Sequence, residues 1–132
     1  MDKQKIIKYL NENDINEVEE IKYKENIFVA RFYYDFDDDE MDGAFAYADD
    51  ECEDEKGSEL WYEQFFLPYL SDIAVDNVGE ILEECIETLD LGVQFISYNV
   101  EEEQYDFSEI IAVFYDKNLE IDIEEVLEDL KL

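Results

Sequence analysis

Ile27-Phe28-Val29-Ala30-Arg31-Phe32-Tyr33-Tyr34-Asp35-Phe36 is the stretch that decides the fold. It is dominated by β-branched and aromatic side chains, the residues that fit a pleated surface. Phe28, Ala30, Phe32, Tyr34 and Phe36 fall on one side; Ile27, Val29, Arg31 and Tyr33 fall on the other. Both sets are largely apolar, so the segment is predicted to be a central strand covered on both faces. Ile111-Ala112-Val113-Phe114-Tyr115-Asp116 repeats that composition at the end of a second strand, predicted over Phe107 to Asp116. Shared burial explains the likeness without an internal duplication.

The neighbouring segments extend the sheet. Glu19 to Lys24 reads as a strand with Ile21 and Tyr23 on one side, and Glu25-Asn26 turns it toward Ile27. Asp37 to Gly43 reads as an acidic hairpin turn. Ala44 to Asp49 follows as a third strand in which Phe45 and Tyr47 alternate with alanines. A helix competes there, because Ala, Met and Glu favour helices; Gly43 suits a hairpin and tips the reading to a strand. Val93 to Val100 is a further strand, joined to Phe107–Asp116 through Glu101-Glu102-Glu103-Gln104.

Helices fill the remainder. Ile6, Ile7 and Leu10 share a face of the first helix, which Asn13 can end. Ser58 is an N-cap for a short helix carrying Leu60, Trp61, Phe65 and Phe66, and Pro68 disrupts or ends it. Val78, Leu82, Cys85, Ile86 and Leu89 recur at helical spacing from about Asp76 to Asp90, with Gly92 as the stop. Asp122 and Glu125 form a capping-box pattern before the stripe Ile123, Val126, Leu127 and Leu130. The reading is a single α+β domain over residues 1–132, in the order α-β-β-β-α-α-β-β-α. It has a mainly antiparallel sheet of about five strands with helices packed on one face.

Charge bounds the function. Forty acidic residues face nine basic ones, a formal net charge of −31. Hydrophobic residues make up 47% and aromatics 15%, too much apolar mass for a disordered acidic tail. A polyanion of this density repels phosphates and anionic membranes and attracts basic proteins. Direct nucleic-acid binding needs Lys and Arg to displace counterions, and Arg31 is the only arginine. Halophile surfaces are also acidic, but the abundance of Ile, Asn, Tyr and Phe argues against salt adaptation. No segment near the first residue has the apolar core of a signal peptide, and none reaches the ~18–20 apolar residues of a membrane span. A cytoplasmic location is expected.

Several chemistries lack their parts. The chain has no histidine, hence neither the commonest general base nor the commonest zinc ligand. It has no Gly-rich phosphate loop. Cys52 and Cys85 form no C-x-x-C pair. Cys85 reads as a small core residue, and Cys52 as a poor nucleophile amid acids. Paired carboxylates can hydrolyse glycosides, but among forty acids any pair arises by chance. Asp35, Asp37 and Asp39 match the first ligand positions of a calcium loop. The match fails where Glu40 replaces the turn glycine and Ala46 the bidentate Glu. No cofactor is expected, beyond weak divalent-cation binding.

The leading expectation is a non-enzymatic acidic module that engages a basic protein, such as a nuclease or nucleic-acid-binding protein. It would act as a DNA mimic does, or as an immunity or inhibitor protein does. Its alternatives are a Ca²⁺/Mg²⁺-responsive module and a carboxylate-dependent hydrolase. The candidate contact residues are Asp37, Asp38, Asp39, Glu40, Asp42, Asp49, Asp50, Glu51, Glu53, Asp54 and Glu55, together with Tyr62, Tyr98 and Tyr105. Aromatics beside carboxylates supply anchor area while the acids steer. Trp61 and Phe45 are expected in the core, and Tyr62, Tyr98 and Tyr105 are expected to be the more exposed rings.

Overall fold

The computed structural model describes residues 2–132 and is α+β. Its elements are α1 (Lys3–Glu12), β1 (Glu19–Ile21), β2 (Ile27–Asp35), α2 (Asp38–Glu51), α3 (Glu59–Trp61), a π-helical turn (Tyr62–Phe66), α4 (Leu67–Leu89), β3 (Leu91–Ser97), β4 (Phe107–Asp116) and α5 (Ile123–Leu130). The strands form one antiparallel sheet in the order β1-β2-β4-β3. No helix among the described residues is long and apolar enough to cross a membrane.

The chief correction falls on residues 38–51. They form helix α2, not a hairpin turn and a third strand, so the sheet has four strands rather than five. Asp37 is the N-cap. Its carboxylate accepts from the Glu40 N–H at 2.7 Å, and Glu40 Oε1 accepts from the Asp37 N–H at 3.0 Å. That reciprocal pair satisfies two otherwise orphaned donors, and Asp38, Asp39 and Glu40 complement the positive end of the helix dipole. Met41, Ala44, Phe45, Ala48 and Cys52 then share one face at helical spacing, and this period overrides the alternation of Phe45 and Tyr47.

Pro68 does not end its helix. It lacks an N–H, and its ring crowds the carbonyl four residues back. The chain accommodates this with the π turn, in which the Leu67 N–H reaches back five residues to the Tyr62 carbonyl. α4 therefore begins at Leu67 rather than near Asp76 and runs 23 residues. Nor is Gly92 the helix stop. Asp90 takes the left-handed conformation there, at φ 56°, and Gly92 lies inside β3. A Cβ on Gly92 would come within 2.3 Å of the Tyr115 ring, so the strand needs glycine at this point. β1 stops at Ile21, short of Lys24. Asp122 caps α5 by accepting from the Glu124 N–H at 3.0 Å, without the reciprocal Glu125 bond that the sequence suggested.

Packing divides the chain into two compact units: residues 2–33, 79–96 and 110–132 form one, and residues 34–78 and 97–109 the other. In the first, β1 pairs with β2 in the register Glu19 with Arg31, Glu20 with Ala30 and Ile21 with Val29. Phe28 meets Phe114 with ring centroids 5.7 Å apart, and Ile6, Leu10, Leu82 and Val126 are buried. Gly79 of α4 lies against Phe95 of β3. Gln94, on the opposite face of that strand, donates to the Ile121 carbonyl and accepts from the Ile123 N–H. Helical segments thus meet β3 from both sides rather than from one face. In the second unit Ala44, Ala48, Cys52, Trp61, Phe66, Leu70 and Val100 form the core.

Candidate functional site

All of the candidate contact residues fall in the second unit. Its two segments hold 21 acidic residues against the single Lys56, a net charge of −20. The remaining segments hold 19 acids and eight basic residues, a net of −11. The surplus of anions is thus concentrated on the smaller unit, and even Lys56 is drawn over the Phe45 ring at 5.0 Å.

α2 supplies much of that charge. Its buried face is spent on Ala44 and Ala48, so helical geometry turns Asp38, Asp39, Asp42, Asp49 and Asp50 outward, all exposed. Fourteen residues span about 21 Å. Glu51 closes the helix, and the following loop adds Glu53, Asp54 and Glu55, also exposed.

Three of the acids hold the fold together. Asp37 is the N-cap of α2. Glu40 is half-buried, and its Oε2 accepts from the Tyr34 hydroxyl at 2.7 Å and from Asn77 Nδ2 at 2.9 Å. Asn77 also donates to the Tyr34 hydroxyl oxygen at 2.7 Å. Burial first, and then the bond to Glu40, push the Tyr34 phenol up to about 12. Asp49 Oδ1 accepts from the indole N–H of Trp61 at 3.1 Å, and Trp61 is 1% exposed.

The aromatic side chains form a cluster. Trp61 stacks on Phe66 at 4.7 Å, with Phe45 4.7 Å from Phe66. Trp61 is buried; Phe45 is half-buried against it. Tyr62 and Tyr105 meet Phe66 edge-on, at 5.8 and 5.0 Å, and both are half-buried members of this cluster. Tyr98 is half-buried too, with its N–H donating to the Glu109 carbonyl at 2.9 Å, so none of the three tyrosines is the exposed ring that the sequence suggested. Burial, followed by the charges at Tyr105 and Glu102, raises the Tyr62 phenol.

The ring that stands out is Tyr47, 41% exposed. It stacks on Tyr69 at 5.0 Å and leans on Phe65. Tyr69 fits there because α2 has glycine at position 43, where a Cβ would sit 3.2 Å from the Tyr69 hydroxyl. Asp50 and Glu51 follow Tyr47 by three and four residues, on the same side of the helix. In the sequence Tyr47 is one of several aromatics interleaved with acids and, read as a strand residue, is not among the candidate contacts; on a helix wheel it lies at the edge of the acidic face.

Asp35 ends β2, Asp37 caps α2 with a committed carboxylate, and Asp39 lies in the first turn. Among the described residues, no three histidine, cysteine or acidic side chains come together as a set that could hold a metal ion. A cleft of about 420 Å³ in this unit is lined by Glu63, Leu67, Pro68, Ser71, Asp72, Asn99 and Val100, and both its carboxylates are exposed. Comparison with protein-family models, with curated proteins and with solved structures finds no match for this chain.

Proposed function

We propose that this protein is a non-enzymatic, cytoplasmic protein-binding module whose acidic unit engages a basic protein surface, as DNA mimics and immunity or inhibitor proteins do. The observation that carries the reading is the charge partition: 21 acids against one lysine in residues 34–78 and 97–109. The outward carboxylates of α2 steer and orient a cationic partner. Tyr47, exposed beside Asp50 and Glu51, supplies aromatic area and a π face for an arginine or lysine. Asp37, Glu40 and Asp49 keep that surface in shape through the helix cap and the bonds to Tyr34, Asn77 and Trp61. The partner's chemistry is that of a nuclease or nucleic-acid-binding protein, whose basic groove these carboxylates would fill in place of phosphates.

A lysate of the source cells, passed over the immobilised full chain, tests this. A basic protein retained at about 50 mM NaCl and released by about 500 mM is the expected result. A variant carrying Asp38→Asn, Asp39→Asn, Asp42→Asn and Asp50→Asn should lose it. Retention of the same protein by that variant would refute the role given to α2. A stoichiometric micromolar Ca²⁺ site in a calorimetric titration would favour the cation-responsive module instead.

A further inference from the structure

In a chain where 37% of residues are charged, one long run is neutral. Leu91-Gly92-Val93-Gln94-Phe95-Ile96-Ser97-Tyr98-Asn99-Val100 is the longest stretch of the sequence without Asp, Glu, Lys or Arg. Its first seven residues are β3, a terminal strand of the sheet. The other terminal strand, β1, carries the usual protections of a free edge: it has three residues, two of them glutamates. β3 has none of these protections. It has no charge and no proline, and Val93, Phe95 and Ile96 are all partly exposed. The acid at its entrance, Asp90, is exposed and pairs with Lys117 Nζ at 2.8 Å.

The strand's phase shows which backbone groups are free to pair. The Tyr98 N–H donates to Glu109 of β4, and in an antiparallel ladder every second residue shares that direction. Ile96, Gln94 and Gly92 therefore turn toward β4, while Phe95 and Val93 direct their N–H and C=O groups away from it.

We propose that β3 is the seam of a homodimer, in which the β3 of a second copy pairs antiparallel with it across a two-fold axis. Self-pairing sets Leu91–Ser97 against itself, with no like charges opposite one another, and such an interface is self-complementary by symmetry. A cationic partner finds no anion on this strip, so a copy of the same neutral strand fits it better than a basic protein does. Away from the seam, two molecules of charge −31 repel. Screening that repulsion makes the dimer form as salt rises. This is opposite in sign to the binding of a basic partner and independent of it.

Light scattering coupled to gel filtration at about 100 µM protein, in about 20 mM and about 500 mM NaCl, reads the outcome directly. The expected mass is that of the 15.8 kDa chain at low salt and twice that at high salt. Val93→Lys and Val93→Pro, which leave the ladder to β4 intact, should stay at monomer mass in both buffers with an unchanged far-UV spectrum. A wild-type mass that never rises overturns the proposal, as does a dimer that both variants form equally well. Should neither variant fold, amide exchange in the wild type decides the question. Val93 and Phe95 amides that slow at high salt support the seam, and rates unaffected by salt overturn it.

Discussion

Replacing Glu40 by alanine removes three hydrogen bonds at once. Its Oε1 holds the Asp37 N–H in the capping box at the start of α2, a contribution of about 1 kcal/mol. Its Oε2 receives the Tyr34 hydroxyl and Asn77 Nδ2 at 2.7 and 2.9 Å. Bonds to a charged acceptor contribute about 1.5–3 kcal/mol when buried; for a half-buried carboxylate, about 1 kcal/mol each is the fair discount. Glu40→Ala should therefore cost about 3 kcal/mol in total, with a urea midpoint lower by about 1.5 M and a melting temperature lower by about 10 °C. Glu40→Gln keeps one acceptor and can still complete a capping box, so about half that loss is expected. Trp61, the only tryptophan, reports on the transition from the core of the same unit. The Tyr34 phenol should also titrate lower in Glu40→Ala, though not fully to 10, because burial is the larger cause of its elevation. A midpoint within about 0.3 M of wild type would show that this carboxylate is a solvated surface acid and that the account of α2 is wrong.

Three further outcomes follow from the same structure. Tyr9, through burial and then Glu84, and Tyr34, through burial and then Glu40, are both raised to about 12, and burial raises the Cys85 thiol to about 11. In each the folded state favours the neutral form, so their stabilisation is complete below the unfolded values and is lost as pH rises through the folded ones. Urea midpoints should thus fall between about pH 9 and pH 12, less steeply in Tyr34→Phe; a flat alkaline profile would contradict this. Gly92→Ala should cost about 1–3 kcal/mol, because its Cβ meets the Tyr115 ring, and an unchanged thermal melt would refute the close approach. Added NaCl at pH 8 should raise the melting temperature by screening self-repulsion among forty acids; no rise would mean that the charges are well dispersed.

The central strands were legible because composition alone marks them: Ile27–Asp35 and Phe107–Asp116 are apolar on both sides. The Asn13 and Ser58 caps were legible for a similar local reason. α2 was not, although its signal was present. Asp37 and Glu40 stand at capping-box spacing, yet Gly43 and the alternation of Phe45 with Tyr47 pointed to a hairpin. Gly43 in fact makes room for Tyr69, and Gly92 for Tyr115, partners 26 and 23 residues away that no local pattern reveals. Pro68 disrupts its helix without ending it: a π turn absorbs the clash, and the helix runs on to Leu89. Within the candidate site, the acids were individually visible. Their concentration depends on residues 97–109 folding with 34–78, and the prominence of Tyr47 depends on the phase of a helix read as a strand.

The slope of affinity against salt for the captured basic partner tests the central claim most directly. With wild type, binding should weaken steeply between about 50 and 500 mM NaCl, and the four-asparagine variant of α2 should bind less tightly at low salt with a shallower slope. Equal affinities and equal slopes for the two proteins would contradict the claim that the acidic unit makes the contact.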